Sequence, residues 1–181
     1  AASTSSSSSA VAAAAAVAKP DDEESEYLLR QQAASPLPDT SLASLGEGEA
    51  RALLLDNAAD LFEAHTAEFL SLCQREAGKT LLDSVLELRE AVDFLRYYAA
   101  EARRQFSAPT ILPGPTGEEN TLSLHGRGVF ATISPWNFPV ALCFIDAVPA
   151  LLAGCAVFVK PSEVTPRFAI PAMQSIAAVP E

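Results

Sequence analysis

The sequence predicts an α/β protein in which three helices lead into the opening of a parallel sheet. Residues 126–163 read strand, helix, strand: a β-branched and aromatic run at 129–133, thirteen residues of helical length from Val140, and a second apolar run at 156–159. Upstream, apolar residues recur at intervals of three and four from Ala50 to Ala99, the period of packed helices. Gly154 sits where a helix running into a strand needs a left-handed residue, and Lys160-Pro161 ends the second strand with a residue that cannot donate to a ladder. A strand–helix–strand unit of this length closes as a parallel pair with a right-handed crossover. Ligands bind beyond the carboxyl ends of such strands, which here are residues 134–137 and 160–163.

The elements follow in order. Residues 1–47 hold a serine and alanine run to position 20, an acidic cluster at 21–26, Pro36-Leu37-Pro38 and Gly46-Glu47-Gly48. Such a composition buries little apolar surface, so a disordered tail and linker are expected there, with one domain over 48–181. No basic residue precedes Lys19, which is unlike a transit peptide. The single methionine is Met173, so the chain is expected to be a processed product or a fragment. Ala50, Leu53, Leu54, Ala58, Leu61 and Phe62 predict a first helix. Thr66 is a candidate cap for a second, which carries Phe69, Leu70 and Cys73 and stops at Gly78. Thr80 with Asp83 reads as a variant capping box, opening a third helix with Leu81, Val85, Leu88, Val92, Leu95 and Ala99 on its apolar face. Residues 121–125 alternate as a half-buried strand does. Thr165-Pro166 starts a last helix, and Pro171 inside it predicts a kink costing about 3 kcal/mol.

Composition narrows the function classes. A chain of 181 residues, 49% of them hydrophobic, suffices for one domain. A net charge of -11 argues against nucleic acid and against anionic membrane surfaces. Asp146, Pro139, Pro149 and Gly154 interrupt the apolar stretch 138–159, and a central Asp costs about 2.5 to 3.5 kcal/mol on insertion, so no membrane span is expected. Cys73, Cys143 and Cys155 lack paired spacing, which suits the cytoplasm or another reducing compartment. Gly78-Lys79-Thr80 ends like a phosphate-binding loop but follows a helix, with Cys73 where the first glycine belongs. His65 and Cys73 share a helix face without a third ligand, so no metal is expected. No Gly-x-Ser-x-Gly elbow supports a serine hydrolase.

Ser134-Pro135-Trp136-Asn137-Phe138-Pro139, followed at this distance by Lys160-Pro161-Ser162-Glu163, resembles the NAD(P)-dependent aldehyde dehydrogenase superfamily. Residues 75–80 (REAGKT), 89–98 (REAVDFLRYY) and 112–120 (LPGPTGEEN) resemble one branch of it. That branch is the 1-pyrroline-5-carboxylate (glutamate semialdehyde) dehydrogenase of bifunctional proline-utilisation proteins. Residues 140–146 read more like other aldehyde dehydrogenases, and the resemblance covers roughly residues 48 to 170. It implies a truncated aldehyde dehydrogenase fold with the start of a Rossmann-like sheet, and a strand near 121–125 in an oligomerisation or bridging hairpin. NAD or NADP is the implied cofactor, a small aldehyde the substrate, and a homo-oligomer the full-length enzyme. The matching asparagine, Asn137, stabilises the thiohemiacetal oxygen in the family. Ile133, Ser134, Pro135, Trp136, Lys160, Ser162 and Glu163 match its cofactor-binding positions, Lys160 and Glu163 bonding the adenosine ribose hydroxyls.

The residues themselves permit these roles. Pro135 and Pro139 restrict the backbone on either side of Asn137, holding an amide donor at a strand end, where a developing oxyanion can be met. Asparagine is also a preferred helix cap, and by residue type alone capping is the simpler role for Asn137. Lys160 and Glu163 supply a donor and an acceptor, or equally a solvated pair. The family's nucleophile and general-base motifs are absent, and Cys143 and Cys155 fall in apolar stretches that raise a thiol's pKa. The sequence therefore predicts the N-terminal part of an aldehyde-oxidising enzyme, inactive alone. The alternative is a non-catalytic product that binds nucleotide weakly or pairs with an intact subunit.

Overall fold

A computed structural model describes residues 45–168. The elements are α1 (Glu47–Ala64), α2 (Thr66–Ala77), α3 (Leu81–Phe106), β1 (Thr110–Leu112), β2 (Asn120–Leu122), β3 (Val129–Ile133), α4 (Ala141–Leu152) and β4 (Ala156–Lys160). Residues 166–168 begin a further helix at the predicted proline. The expectations for residues 1–44 and for a kink at Pro171 lie outside the described residues.

The strand–helix–strand unit forms within a residue of its predicted bounds. β3 and β4 pair in parallel, from Val129 opposite Ala156 to Ile133 opposite Lys160. Gly154 turns the chain out of α4 at a φ of 83°, a left-handed conformation that glycine adopts without steric cost. The apolar face of α4 packs on α3, and α1 lies along α3. Phe62 of α1 stacks on Phe69 of α2 at 4.5 Å and meets Phe144 of α4 edge-on at 5.0 Å. Phe69 also stacks on Phe168 at 6.1 Å, so one aromatic cluster ties the helices together.

Four local expectations need correction. Gly46-Glu47-Gly48 is not a linker turn: Gly46 is the N-cap of α1, and Gly48 is buried within its first turn. A Cβ at Gly48 would stand 2.7 Å from the Phe106 carbonyl carbon and 2.7 Å from the Ser107 nitrogen, so its glycine lets α1 pass the end of α3. Thr66 does not cap α2; His65 stands there, closing α1 through its amide and opening α2 through its carbonyl. With no break between the helices, the Thr66 hydroxyl donates back to the Glu63 carbonyl at 2.6 Å. On α3 the Thr80 cap forms as predicted, its oxygen accepting the Asp83 amide at 3.1 Å. Yet Leu81 and Val85 face outward, and Ser84 and Glu87 take the buried stripe with Leu88, Ala91, Val92, Leu95, Ala99 and Ala102. Ser84 can turn inward because its hydroxyl donates to the Thr80 carbonyl at 2.7 Å.

The predicted strand at 121–125 is shorter, ends at Leu122, and is exposed where half-burial is expected. It pairs antiparallel with β1, Thr110 opposite Leu122, in a hairpin whose first strand has no clear sequence signal. Arg103 reaches Glu49 and Asp56, and Arg96 reaches Asp60 and Glu63, lacing α3 to α1 along the exposed seam. Each such pair contributes about 0.2 to 1 kcal/mol.

Candidate functional site

The parallel register sets residues 134–137 beside residues 160–163. Beyond the last registered pair the Ser134 amide donates to the Lys160 carbonyl at 3.0 Å, extending the ladder to the point where both chains leave the sheet. Ile133, Trp136, Asn137 and Glu163 are exposed there, Pro135 and Lys160 half-buried, and Ser134 and Ser162 buried. All the sequence-predicted site residues thus gather at one end of the strand pair.

Asn137 lies in the turn between β3 and α4. The N-cap of α4 is Val140, with no side-chain cap, so Asn137 is not spent on capping. Among the described residues its amide has no hydrogen-bond partner, which leaves both donors available.

On the β4 side, Lys160 Nζ pairs with Glu163 and donates to the Pro161 carbonyl at 3.3 Å. The Lys160 hydrogen bond, then the residue's own backbone amide and the lysine charge, hold the Glu163 carboxyl below its ordinary value. Ser162 Oγ accepts the Val164 amide at 3.2 Å, and the Ser162 carbonyl accepts the Thr165 amide at 3.3 Å, fixing the turn that follows. The hydroxyls of Thr132 and Thr165 are buried and have no hydrogen-bond partner among the described residues. An accessible donor, Lys160, and an accessible acceptor, Glu163, fit a ligand rich in hydroxyl groups, such as the ribose of a dinucleotide.

Sequence reasoning missed a second layer of residues. Glu87 of α3 is 1% exposed. Its Oε1 accepts the Val140 amide at 2.9 Å, and its other oxygen pairs with Lys79, the lysine of the false phosphate-loop motif. Lys79 Nζ in turn lies 4.2 Å from the centroid of the Phe138 ring. A signal for Glu87 did exist: it falls at the spacing of Ser84, Leu88 and Ala91, a charged residue on the apolar stripe of a helix.

The thiols are poorly placed for attack. All three cysteines are buried and unpaired. Burial, reinforced by the Glu87 charge, raises Cys73 to about 11. Burial also raises Cys143; the Ser134 hydroxyl beside it acts the other way and the Asp146 charge adds to the rise. Cys155 Sγ accepts the Arg127 amide at 3.2 Å. Among the described residues no group of three or more His, Cys, Asp or Glu is placed to hold a metal, and no helix is long and apolar enough to cross a membrane.

Known proteins resemble this chain in sequence and fold. The sequence pattern of the aldehyde dehydrogenase family matches residues 11–181. The bifunctional protein PutA of Rhizobium meliloti is 43% identical over 119 residues, which make up 66% of this chain and 8% of that protein. A crystal structure of a mutant of Bradyrhizobium japonicum proline utilization A (PutA) has a TM-score of 0.71 at 42% identity, covering 86% of this chain and 18% of that one. An NAD-dependent benzaldehyde dehydrogenase from Corynebacterium glutamicum has a TM-score of 0.64 at 31% identity, covering 86% of this chain and 33% of the other. The chain spans only a minor part of the length of each of these proteins. Since the family pattern takes in the whole strand–helix–strand unit and the helices behind it, this chain belongs to the aldehyde dehydrogenase family.

Proposed function

We propose that this chain forms the nucleotide-binding and oxyanion-stabilising part of an oxidoreductase that converts a small aldehyde to a carboxylic acid with NAD or NADP. Glutamate semialdehyde, oxidised to glutamate in proline catabolism, is the proposed substrate. The observation that carries this reading is the adjacency of residues 134–137 and 160–163 across the Ile133–Lys160 register, with the Asn137 amide unpaired among the described residues. The likeness to PutA supports the choice of aldehyde.

The dinucleotide, when bound, supplies the hydride acceptor. Lys160 donates to and Glu163 accepts from the hydroxyls of its ribose, breaking their mutual ion pair to do so. Ile133, Ser134, Pro135 and Trp136 form the adjoining wall, and Ser162 holds the β4 turn in shape. Asn137 donates from its side-chain amide to the substrate oxygen as that oxygen gains charge; losing one such donor costs about 2.7 to 4 kcal/mol in other enzymes. The three thiols of this chain are buried, so the attacking thiolate and the carboxylate that activates water are assigned to the remainder of the enzyme. By itself the chain is then a nucleotide-binding piece without turnover. The exposed Ile111, Leu112 and Leu122 of the β1–β2 hairpin support pairing of subunits in a homo-oligomer, and the unpaired cysteines support a reducing compartment.

Fluorescence titration tests this reading, because Trp136 is the only tryptophan and stands in the site. NAD or NADP added to the chain changes its emission, and Glu163→Ala weakens the affinity. Binding of equal strength in the variant overturns the assignment of residues 160–163.

A further inference from the structure

We propose that Lys79 and Glu87 are positioning residues that set the turn carrying Asn137; this rests on the role given to Asn137 above. The first amides of a helix have no partner within it. At the start of α4 the partner of the buried Val140 amide comes from α3, 53 residues upstream: Glu87 Oε1, at 2.9 Å. A carboxylate taken fully out of water requires a counter-charge, and Lys79 provides it at the other oxygen. The same ammonium lies against the Phe138 ring, 4.2 Å from its centroid. One buried ion pair therefore grips the chain at residues 138 and 140, while Pro135 and Pro139 limit the torsions between.

Lys79 is itself firmly presented. It stands between the left-handed Gly78, which ends α2 at a φ of 64°, and Thr80, which caps α3, and its amide donates to the Cys73 carbonyl at 3.2 Å. A donor that meets a developing charge is effective when it is aimed before the reaction, so the turn around Asn137 has to be fixed by its surroundings. Lys79 acts through the Phe138 ring and Glu87 through the Val140 amide.

Two measurements test the grip itself, made on the 181-residue chain carrying Phe158→Lys so that its exposed sheet face does not drive self-association. These are hydrogen exchange at the Val140 amide and acrylamide quenching of Trp136. Glu87→Leu removes the acceptor and is expected to speed exchange of Val140 by about tenfold. Lys79→Met is expected to raise quenching of Trp136, and Lys79→Arg to restore it. Glu87→Gln keeps an acceptor for Val140 and guards against a Glu87→Leu variant that does not fold. Arg103→Met, which loosens α1 from α3 far from the turn, is expected to leave both signals unchanged. The proposal is overturned if Lys79→Met and Glu87→Leu leave both signals as they were, or if Arg103→Met alters them equally.

In the enzyme that carries this chain, Lys79→Met is expected to lower kcat with little change in the aldehyde KM, and to have no further effect once Asn137 is alanine. Losses that add in the double variant reject action through Asn137. An Asn137→Ala variant with unchanged kcat rejects the oxyanion role instead, and the exchange and quenching results still decide whether the ion pair holds the turn.

Discussion

The Ser134 amide and the Lys160 carbonyl meet at 3.0 Å, one step beyond the last registered pair of the β3–β4 ladder. That bond fixes where the two strands part, with Asn137 following on one side and Glu163 on the other. A change that slips the parallel register by one residue reverses the faces of a whole strand and separates these groups.

Nucleotide affinity should follow the ionisation of Glu163. Its folded-state pKa lies below the ordinary value because Lys160 hydrogen-bonds the charged form. For a carboxyl depressed in this way, the interaction is complete above the unbound glutamate value near 4.5 and is lost as pH falls through the lower folded value. NAD binding is therefore expected to stay constant from about pH 6 to 8 and to weaken only well into the acid range. Titrations of Trp136 fluorescence across pH check it, and a loss of affinity centred near neutrality points to a different group.

The thiols are expected to resist alkylation in the native state. Cys73 remains protonated to about 11, and Cys143 is likewise raised by burial. Iodoacetamide at pH 8 should modify these two cysteines only after denaturant is added, as read by mass spectrometry. The sign of the linked stability follows from the same shift. Between about pH 9 and 11 the unfolded thiol at Cys73 ionises while the folded one does not, so stability declines over that window and Cys73→Ser flattens the decline.

Gly48→Ala should destabilise the fold by about 1 to 3 kcal/mol, because a Cβ there meets backbone of α3 that cannot swing aside. Gly46→Ala, only two residues away, meets nothing within 4 Å and should cost well under that. Urea unfolding of the two variants compares them directly. Equal losses would show that the passage of α1 past Phe106 is not tight.

The contrast between those glycines also marks what sequence can and cannot disclose. Gly154, Lys160-Pro161 and the β-branched run from Val129 act on their own neighbours, so the strand–helix–strand unit and the two ends of the site were legible before any fold was known. Thr80 with Asp83 was legible for the same reason, a cap formed within three residues. Gly48 is needed because of Phe106, far along the chain, and Glu87 is buried because Lys79 and Val140 meet it in space. β1 is three exposed residues whose one strand partner among the described residues is β2, and no local periodicity announces it. Asn137 could be found from the motif, but the ion pair beneath its turn could not. The rotation of the α3 stripe away from Leu81 and Val85 is the trace that pair leaves in one dimension.

The last prediction concerns self-association of the 181-residue chain. Among the described residues β3 and β4 form a sheet of only two strands, and isolated pairs are marginal in water. Parallel strands are ordinarily covered on both faces, yet Val129 is 77% exposed, Ile133 73% and Phe158 63%. α4 and the helices behind it cover the side of Thr132 and Val157, and the opposite side stays bare. An apolar, uncharged strand such as residues 129–133 pairs readily with other chains. The purified chain is therefore expected to elute as aggregates or as a broad, loosely packed species in size-exclusion chromatography, with weak protection of amides across residues 156–159 in hydrogen exchange. Phe158→Lys, placed on the bare side, should shift the profile towards monomer without loosening the aromatic cluster of Phe62, Phe69 and Phe144. A sharp monomer peak with strongly protected β4 amides in the unaltered chain would mean that two strands suffice and that the bare face needs no cover.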